Sequence, residues 1–155
     1  MKSQFMREAI RLSLLKMRRN EGGPFGAIVV RAGKIVGRGW NRVTSQNDPT
    51  AHAEISAIRD ACRKLKTFRL DGCELYTSCE PCPMCLAACY WARLDTIFYA
   101  NTRRDAAKIE FDDDLIYNEI SQPIARRKIS MKQLLRREAL KVFAEWKIKA
   151  DKIRY

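Results

Sequence analysis

The sequence predicts an α/β protein in which helices cover both faces of a mixed sheet. Strand-like apolar segments alternate with segments of helical periodicity, an order typical of crossover connections and of sheets packed on both sides. Two neighbouring strand segments are separated only by a short turn, which predicts a hairpin. The chain has 155 residues, of which 46% are hydrophobic, and this suits one domain (1–155) with a real core.

The elements follow in order along the first hundred residues. Residues 3–19 predict an amphipathic helix with Phe5, Ala9, Leu12 and Leu15 inward. The Glu-Gly-Gly-Pro segment at 21–24 breaks this helix. The elements predicted next are a buried strand at 25–30, a turn at 31–34, a strand at 35–40, a polar loop at 41–50, a helix at 51–66, a strand at 73–77, a helix at 82–93 and a strand at 95–99.

The final third of the chain, from Thr102, predicts mostly helix. A short helix is expected at 114–119, and a long basic helical stretch at 129–155, with Leu134, Leu135, Val142 and Trp146 among its apolar positions. The net charge is +12, and residues 121–155 carry eleven Lys or Arg against three Asp or Glu, which is +8. Such charge commonly accompanies nucleic-acid contact. Solvated helix faces that promote solubility explain it equally, and we favour that explanation.

The only histidine in the chain begins the most informative pattern. His52 lies in Ala-His-Ala-Glu, and Cys82 and Cys85 follow in Glu-Pro-Cys-Pro-Met-Cys. Zinc prefers Cys sulfur and His nitrogen, and three such ligands leave one coordination position open, as in catalytic rather than structural sites. Residues three positions apart share a helix face, so both thiols can reach one ion. The sequence therefore predicts a catalytic zinc site where two helix N-termini meet at the sheet.

Glu54, two residues after His52, completes the H-x-E…P-C-x-x-C pattern of zinc-dependent nucleobase deaminases. Zinc lowers the pKa of a bound water to about 7. A carboxylate beside the metal can carry the proton of that water to the substrate, which typically adds about 10²–10⁴-fold in rate. The pattern therefore predicts attack of water on a ring carbon that bears an amino group, followed by loss of ammonia.

Two other interpretations of the cysteines stay open at this point. Cys79 or Cys89 could supply a fourth ligand and make the site structural, or Cys82 and Cys85 could form a redox pair. Otherwise Cys62, Cys73, Cys79 and Cys89 are expected to be ordinary buried thiols. Six cysteines without a secretion signal indicate a reducing, cytoplasmic location. No apolar stretch approaches the length of a membrane span, so no membrane association is expected.

Nearly the whole chain resembles the bacterial guanine deaminases of the cytidine-deaminase-like superfamily. The zinc segments identify only the superfamily, whereas the Phe-Asp-Asp segment and the terminal tyrosine resemble its guanine-specific branch. The segments that carry the resemblance are Gly22–Ala27, Asn47–Glu54, Tyr76–Cys85, Tyr90–Arg93, Phe111–Tyr117 and Tyr155. The resemblance implies a three-layer α/β/α fold, and a domain-swapped homodimer in which residues 121–155 are exchanged so that they cover the partner's active site.

The resemblance also implies a role for each site residue. His52, Cys82 and Cys85 would bind one Zn²⁺ per subunit, and Glu54 would shuttle protons during conversion of guanine to xanthine and ammonia in purine catabolism. Asp113 would contact the amino side of guanine and assist the departing ammonia. The residues implied to hold the base are Phe25, Asn41, the Ala53 backbone N–H, His52, Trp91 and Tyr155, the last from the partner subunit.

Each implied role has a plainer alternative in the residues themselves. Asn41 follows a strand directly, where Asn is a common turn residue. Phe25 and Trp91 are by default core aromatics. Asp113 belongs to an acidic run that suits the start of a helix, and a terminal residue such as Tyr155 is normally frayed.

Two other functions are compatible with the sequence. A tRNA adenosine deaminase would use the same zinc chemistry and a basic surface. Such enzymes usually carry Lys-Thr-Gly-Ala where this chain has Asn-Thr-Arg-Arg-Asp-Ala at 101–106, and they lack the Phe-Asp-Asp segment. Nucleic-acid binding is therefore open but not favoured. A catalytically inactive, zinc-scaffolded RNA-binding module would keep the metal and the basic surface but would not need Glu54.

Overall fold

The computed structural model describes residues 1–154, and Tyr155 lies outside the described residues. These residues form two compact units, Met1–Asp113 and a second unit that begins at Asp114. The first unit holds the sheet and every residue predicted to bind the metal. Its elements are α1 (Lys2–Arg18), β1 (Gly26–Arg31), β2 (Lys34–Trp40), α2 (Val43–Gln46), α3 (Ala53–Leu65), β3 (Cys73–Cys79), α4 (Pro83–Trp91), β4 (Thr96–Asn101) and α5 (Arg103–Ala107).

The sheet has the strand order β2-β1-β3-β4. Strand β1 pairs antiparallel with both β2 and β3, whereas β3 and β4 are parallel. The predicted hairpin of β1 and β2 and the predicted mixed sheet are both confirmed. The crossover from β3 to β4 runs through α4, as expected for parallel neighbours.

Alternation along the strands gives the sheet two apolar faces. Ile28 and Val30 of β1 pack with Ala9 of α1 on one side, while Ala27 and Val29 belong to the core formed with α3 and α4 on the other. Because successive strand residues point to opposite faces, one buried strand serves both cores. The α/β/α layering implied by the resemblance is therefore present in the first unit.

Two glycines of β2 let α3 approach the sheet closely. A Cβ added at Gly39 would lie 2.1 Å from the Ala53 carbonyl oxygen, and one at Gly37 would lie 2.5 Å from the Ala57 carbonyl oxygen. Alanine at positions 53, 57 and 61 of α3 faces this strand and is fully buried. The backbone contact places the N-terminus of α3 directly over β2.

The second unit contains less helix than the sequence predicts. Helix α6 spans Asp114–Ser121, a 3₁₀ turn spans Ile124–Arg126, and α7 spans Arg136–Ile148. The predicted continuous helical stretch at 129–155 is therefore wrong at both of its ends. Leu135 has a left-handed φ of 52°, which an L-residue does not adopt inside a helix.

The segment at 41–50, predicted to be a loop, contains the short helix α2. Asn47 ends this helix in the left-handed conformation, at φ 50°. Asn tolerates that conformation better than most residues, so a four-residue helix is compatible with a polar, loop-like sequence. None of the helices within residues 1–154 is long and apolar enough to cross a membrane.

Candidate active site

Two helix N-termini bring the predicted zinc ligands together. His52 is the N-cap residue of α3, and Cys82 is the N-cap residue of α4; both have extended backbone conformations, with ψ of 161° and 167°. Pro83 occupies the first turn of α4, where a missing N–H costs little. Cys85 follows one turn into the same helix, so its side chain lies on the face that Cys82 begins. The predicted meeting of two helix starts is confirmed.

The distances between the three ligand atoms fit a zinc ion. His52 Nδ1 lies 3.5 Å from Cys82 Sγ and 3.5 Å from Cys85 Sγ. Zinc bonds of about 2.0–2.1 Å to nitrogen and about 2.3 Å to sulfur, at a tetrahedral angle, place the nitrogen and sulfur about 3.6 Å apart. The three side chains therefore suit Zn²⁺ through Nδ1 and two sulfurs, which would supply Lewis-acid activation of water.

The electrostatics of the thiols distinguish Cys82 from the other cysteines near the site, because the hydrogen bond with Cys82 and burial raise the pKa of Cys85. A hydrogen bond from the Cys85 thiol, together with the contact to His52, lowers the pKa of Cys82 to about 4. Burial raises the pKa of Cys79 to about 11 and that of Cys89 to about 12. Among the residues that the structure describes, the metal-binding cluster has no third sulfur. The set has three ligands, as in catalytic sites.

Glu54 lies beside these ligands and is buried, with 6% of its surface exposed. Its Oε1 accepts a hydrogen bond from Thr77 Oγ1 at 3.2 Å, and its Oε2 lies 3.5 Å from Cys85 Sγ. Burial raises the pKa of the carboxyl group, because the charged form loses its hydration. This placement suits a group that takes and returns a proton beside a metal.

The Asn41 side chain is buried at the end of β2. Its Oδ1 accepts hydrogen bonds from the backbone N–H groups of Gly23 and Val43, both at 3.2 Å. The side-chain oxygen of Asn41 therefore makes the contacts with local backbone that are expected of a turn residue. Within residues 1–154 its Nδ2 donates no hydrogen bond to the protein, so the amide keeps a donor for a ligand.

The residues on either side of Asn41 pack closely. Two cations lie over the Trp40 ring. The Lys16 Nζ is 3.9 Å from the ring centroid, and the Arg42 guanidinium carbon is 3.7 Å from it. A Cβ added at Gly22 would lie 2.0 Å from the Asn41 carbonyl oxygen. Such close approach of two backbone segments needs glycine at position 22. The cation–π contacts on Trp40 contribute about 0.5–1 kcal/mol each at partly exposed sites.

Phe25 directly precedes β1, and Ala53 begins α3. The Phe25 ring packs edge-to-face on Phe111, with centroids 4.9 Å apart and an interplanar angle of 87°. This contact joins the Phe-Asp-Asp segment to the glycine-rich segment before β1. Ala53 is the first residue of α3, and first-turn N–H groups have no partner within their own helix. Asp113, half-buried at the end of the first unit, contributes to raising the pKa of Cys79.

Trp91 lies at the far end of α4 from the zinc ligands. Trp91 is the last residue of α4, six residues beyond Cys85, and is 69% exposed. Six helical residues rise about 9 Å, so its predicted packing against the base stays a prediction. Tyr155, predicted to close the partner's pocket, is outside the described residues.

The first unit matches a known zinc-binding region. Residues 1–101 match the cytidine and deoxycytidylate deaminase zinc-binding region. The match ends with β4 and includes all three metal ligands and Glu54. This chain belongs to the cytidine and deoxycytidylate deaminase family. It is a zinc-dependent hydrolytic enzyme of the α/β class.

Among members of this deaminase family, guanine deaminase of Bacillus subtilis is 49% identical over 97% of both chains. Its X-ray structure superposes with a TM-score of 0.96 at 48% identity and covers 99% of this chain and 98% of that one. A tRNA-specific adenosine deaminase of Aquifex aeolicus is 34% identical, covering 94% of this chain and 93% of its own length. A relative solved in complex with 2,6-diaminopurine has a TM-score of 0.68 at 35% identity and covers 70% of this chain and 61% of that one.

Sequence reasoning missed Thr77 and the two glycines of β2. Cys73, Leu75 and Cys79 share a strand face with Thr77, because they alternate along β3. A hydroxyl at a core-facing position needs a polar partner, and this was the available signal for Thr77. The close approach at Gly39 has no comparable signal, since glycine in a strand also occurs at bulges.

Proposed function

We propose that this deaminase hydrolyses guanine to xanthine and ammonia. The observation that carries the proposal is the 49% identity to a guanine deaminase over 97% of both chains, against 34% to a tRNA-specific adenosine deaminase. In the reaction, the oxygen of water bonds to C2 of guanine, the C2–amino bond breaks, and the amino group leaves as ammonia. His52, Cys82 and Cys85 would hold one zinc ion per chain, and that ion would supply Lewis-acid activation of the water.

The remaining groups bind the base and move protons. Glu54 takes a proton from the attacking water and returns it to the substrate. The free donor of Asn41 and the Ala53 N–H face acceptor atoms of the purine, while Asp113 accepts from its donor-rich amino edge. An unpaired polar edge on a buried base would cost about 1–3 kcal/mol. Phe25 and Trp91 stack on the base.

The proposal also covers the oligomeric state of the protein, its cellular compartment and its metabolic role. Two chains would exchange residues 121–155, so that Tyr155 closes the pocket of the partner. A mixture of the Glu54→Ala chain with a chain that lacks Tyr155, unfolded and refolded together, should regain activity that neither has alone. Refolding that restores nothing would contradict the exchange. Six free cysteines suit a reducing cytoplasm, and a free purine base as substrate suits purine catabolism.

The second candidate is deamination of adenosine in tRNA. The observation in its favour is the charge, +12 for the chain and +8 for residues 121–155. A polyanionic substrate would bind with an affinity that falls steeply with salt, by about 0.7 log units per log unit of salt for each phosphate contact on a single strand. A neutral base would give little salt dependence.

The deciding experiment is ammonia release from zinc-loaded protein with guanine, adenine, cytosine, cytidine, guanosine, ammeline and a tRNA anticodon stem-loop containing adenosine. Turnover of guanine alone is expected. The matched control is Glu54→Ala, which should keep zinc and bind guanine but lose turnover. Turnover of the stem-loop instead of guanine would make the basic surface the better guide. Salt-sensitive RNA binding with no turnover of any substrate would favour the inactive binding module.

A further inference from the structure

The carboxylate of Glu54 is held from outside its own helix by two side chains. Thr77 Oγ1 on β3 donates a hydrogen bond to Oε1 at 3.2 Å, and Cys85 Sγ lies 3.5 Å from Oε2. Thr77 is 1% exposed and Glu54 is 6% exposed, so no bulk water competes with these contacts. The two oxygens therefore have different environments.

Thr77 is the contact that comes from outside the predicted ligand set. Cys85 belongs to the cluster that could hold the metal, whereas Thr77 does not. The Oγ1–Oε1 contact at 3.2 Å therefore supports Glu54 independently of the ligands.

We propose that Thr77 is a positioning residue for Glu54. The Thr77 hydroxyl holds Oε1 of Glu54 and so leaves Oε2, the oxygen nearest Cys85, to exchange protons at the metal site. This inference rests on the proposed deamination. The proton leaves water for Oε2 and then leaves Oε2 for a nitrogen of the substrate, while the hydroxyl of Thr77 keeps its own proton throughout.

The strand that carries Thr77 makes it a rigid support. Thr77 pairs with Ala27 of β1 on one side and with Tyr99 of β4 on the other. A carboxylate on its own rotates over a broad range about its last side-chain torsion. A fixed donor on a central strand restricts that range, which is how supporting groups hold catalytic side chains in productive geometry.

The test compares Thr77→Val, which keeps the shape and loses the hydroxyl, with Thr77→Ser, which keeps the hydroxyl. Thr77→Val should lower kcat by about 10- to 100-fold, the effect of losing a hydrogen bond to a charged group. KM, zinc content and the Kd for the product xanthine should stay within about twofold. Thr77→Ser should restore most of kcat, which a merely structural role does not require.

A neighbouring residue offers a matched control. Ser78 is also buried on β3, but its Oγ accepts a hydrogen bond from the Gly26 N–H at 3.0 Å and does not contact Glu54. Ser78→Ala should reduce the Tm and leave kcat close to that of the native chain. Where Thr77→Val does not fold, Thr77→Ala removes the same hydroxyl without a second methyl group and takes its place in the test.

Several results would overturn the assignment: native kcat in Thr77→Val, loss of zinc in proportion to loss of activity, or a Thr77→Ser variant as slow as Thr77→Val. The assignment and the proposed substrate fail separately. If the native chain deaminates the tRNA stem-loop and not guanine, the proposed substrate is wrong, and the same variants are then compared on the stem-loop, with retained RNA binding in place of retained xanthine binding. If guanine is turned over equally by all variants, only the role of Thr77 is wrong.

Discussion

Replacing Gly39 with alanine should disturb the zinc site without touching any of its ligands. The added Cβ would lie 2.1 Å from the Ala53 carbonyl oxygen and 2.3 Å from the Ala57 N. Both atoms are backbone atoms and cannot rotate away. Ordinary contact begins at 3.4 Å, so β2 and the N-terminus of α3 must separate by about 1 Å.

The cost follows from overpacking a buried contact. Inserting a methyl group into a close-packed interior typically costs about 1–3 kcal/mol, which corresponds to a decrease in Tm of about 2–12 °C for a chain of this size. The shift falls on the turn of α3 that carries His52 and Glu54, while Cys82 and Cys85 stay on α4. A misplacement of about 1 Å in a catalytic constellation costs about 10²-fold in rate.

Gly37 provides the matched comparison on the same strand. A Cβ there would meet the Ala57 carbonyl oxygen at 2.5 Å and the Ala61 Cβ at 2.8 Å, one turn farther from His52. Gly37→Ala should therefore lose a similar amount of stability but much less zinc affinity and kcat/KM than Gly39→Ala. Thermal denaturation, zinc titration and steady-state kinetics measure the three quantities. A Gly39→Ala enzyme with native Tm and native zinc affinity would refute the reasoning, as would equal kinetic losses in both variants.

The other predictions concern the ligand set and acid stability. Cys89→Ala should keep the native zinc content and Cys82→Ser should lose most of it, measured by metal analysis after dialysis; loss of zinc from Cys89→Ala would show that the ligand set is larger than three. Hydrogen bonds from the side chain and backbone of Thr102 lower the pKa of Asp105 from 3.8 to about 2. A folded-state pKa below the unfolded value stabilises the protein above about pH 4, and this stabilisation is lost as the pH falls toward 2. Asp105→Asn should therefore reduce the difference in Tm between pH 7 and pH 3; an unchanged difference would contradict the stabilising role of this capping contact.

Much of the fold follows from patterns that are local in the chain. The alternation along β1 and the helical spacing of Ala9 and Leu12 predicted which faces are buried, because strand and helix periods depend only on backbone geometry. The same approach failed for residues 129–155. Apolar spacing there continued through Leu134 and Leu135, and no residue with a capping side chain marks where α7 begins.

The active-site residues were likewise predictable only in part. The identity of the zinc ligands and the proton carrier was readable, because His52, Glu54, Cys82 and Cys85 occupy two short segments whose residue types have few other uses together. The orientation of Asn41 was not readable, since its oxygen is bound by Gly23, eighteen residues away, and by Val43.

The sequence by itself determined the chemistry of this protein: a histidine and two thiols that a zinc ion can bind, and a carboxylate that can carry a proton, all near helix starts. Only the tertiary structure decided how the catalytic side chains are positioned and oriented. The contact of Thr77 with Glu54 spans 23 residues, and the approach of Gly39 to Ala53 depends on how β2 and α3 pack. Such contacts depend on distances between elements, and no periodicity within one element encodes them.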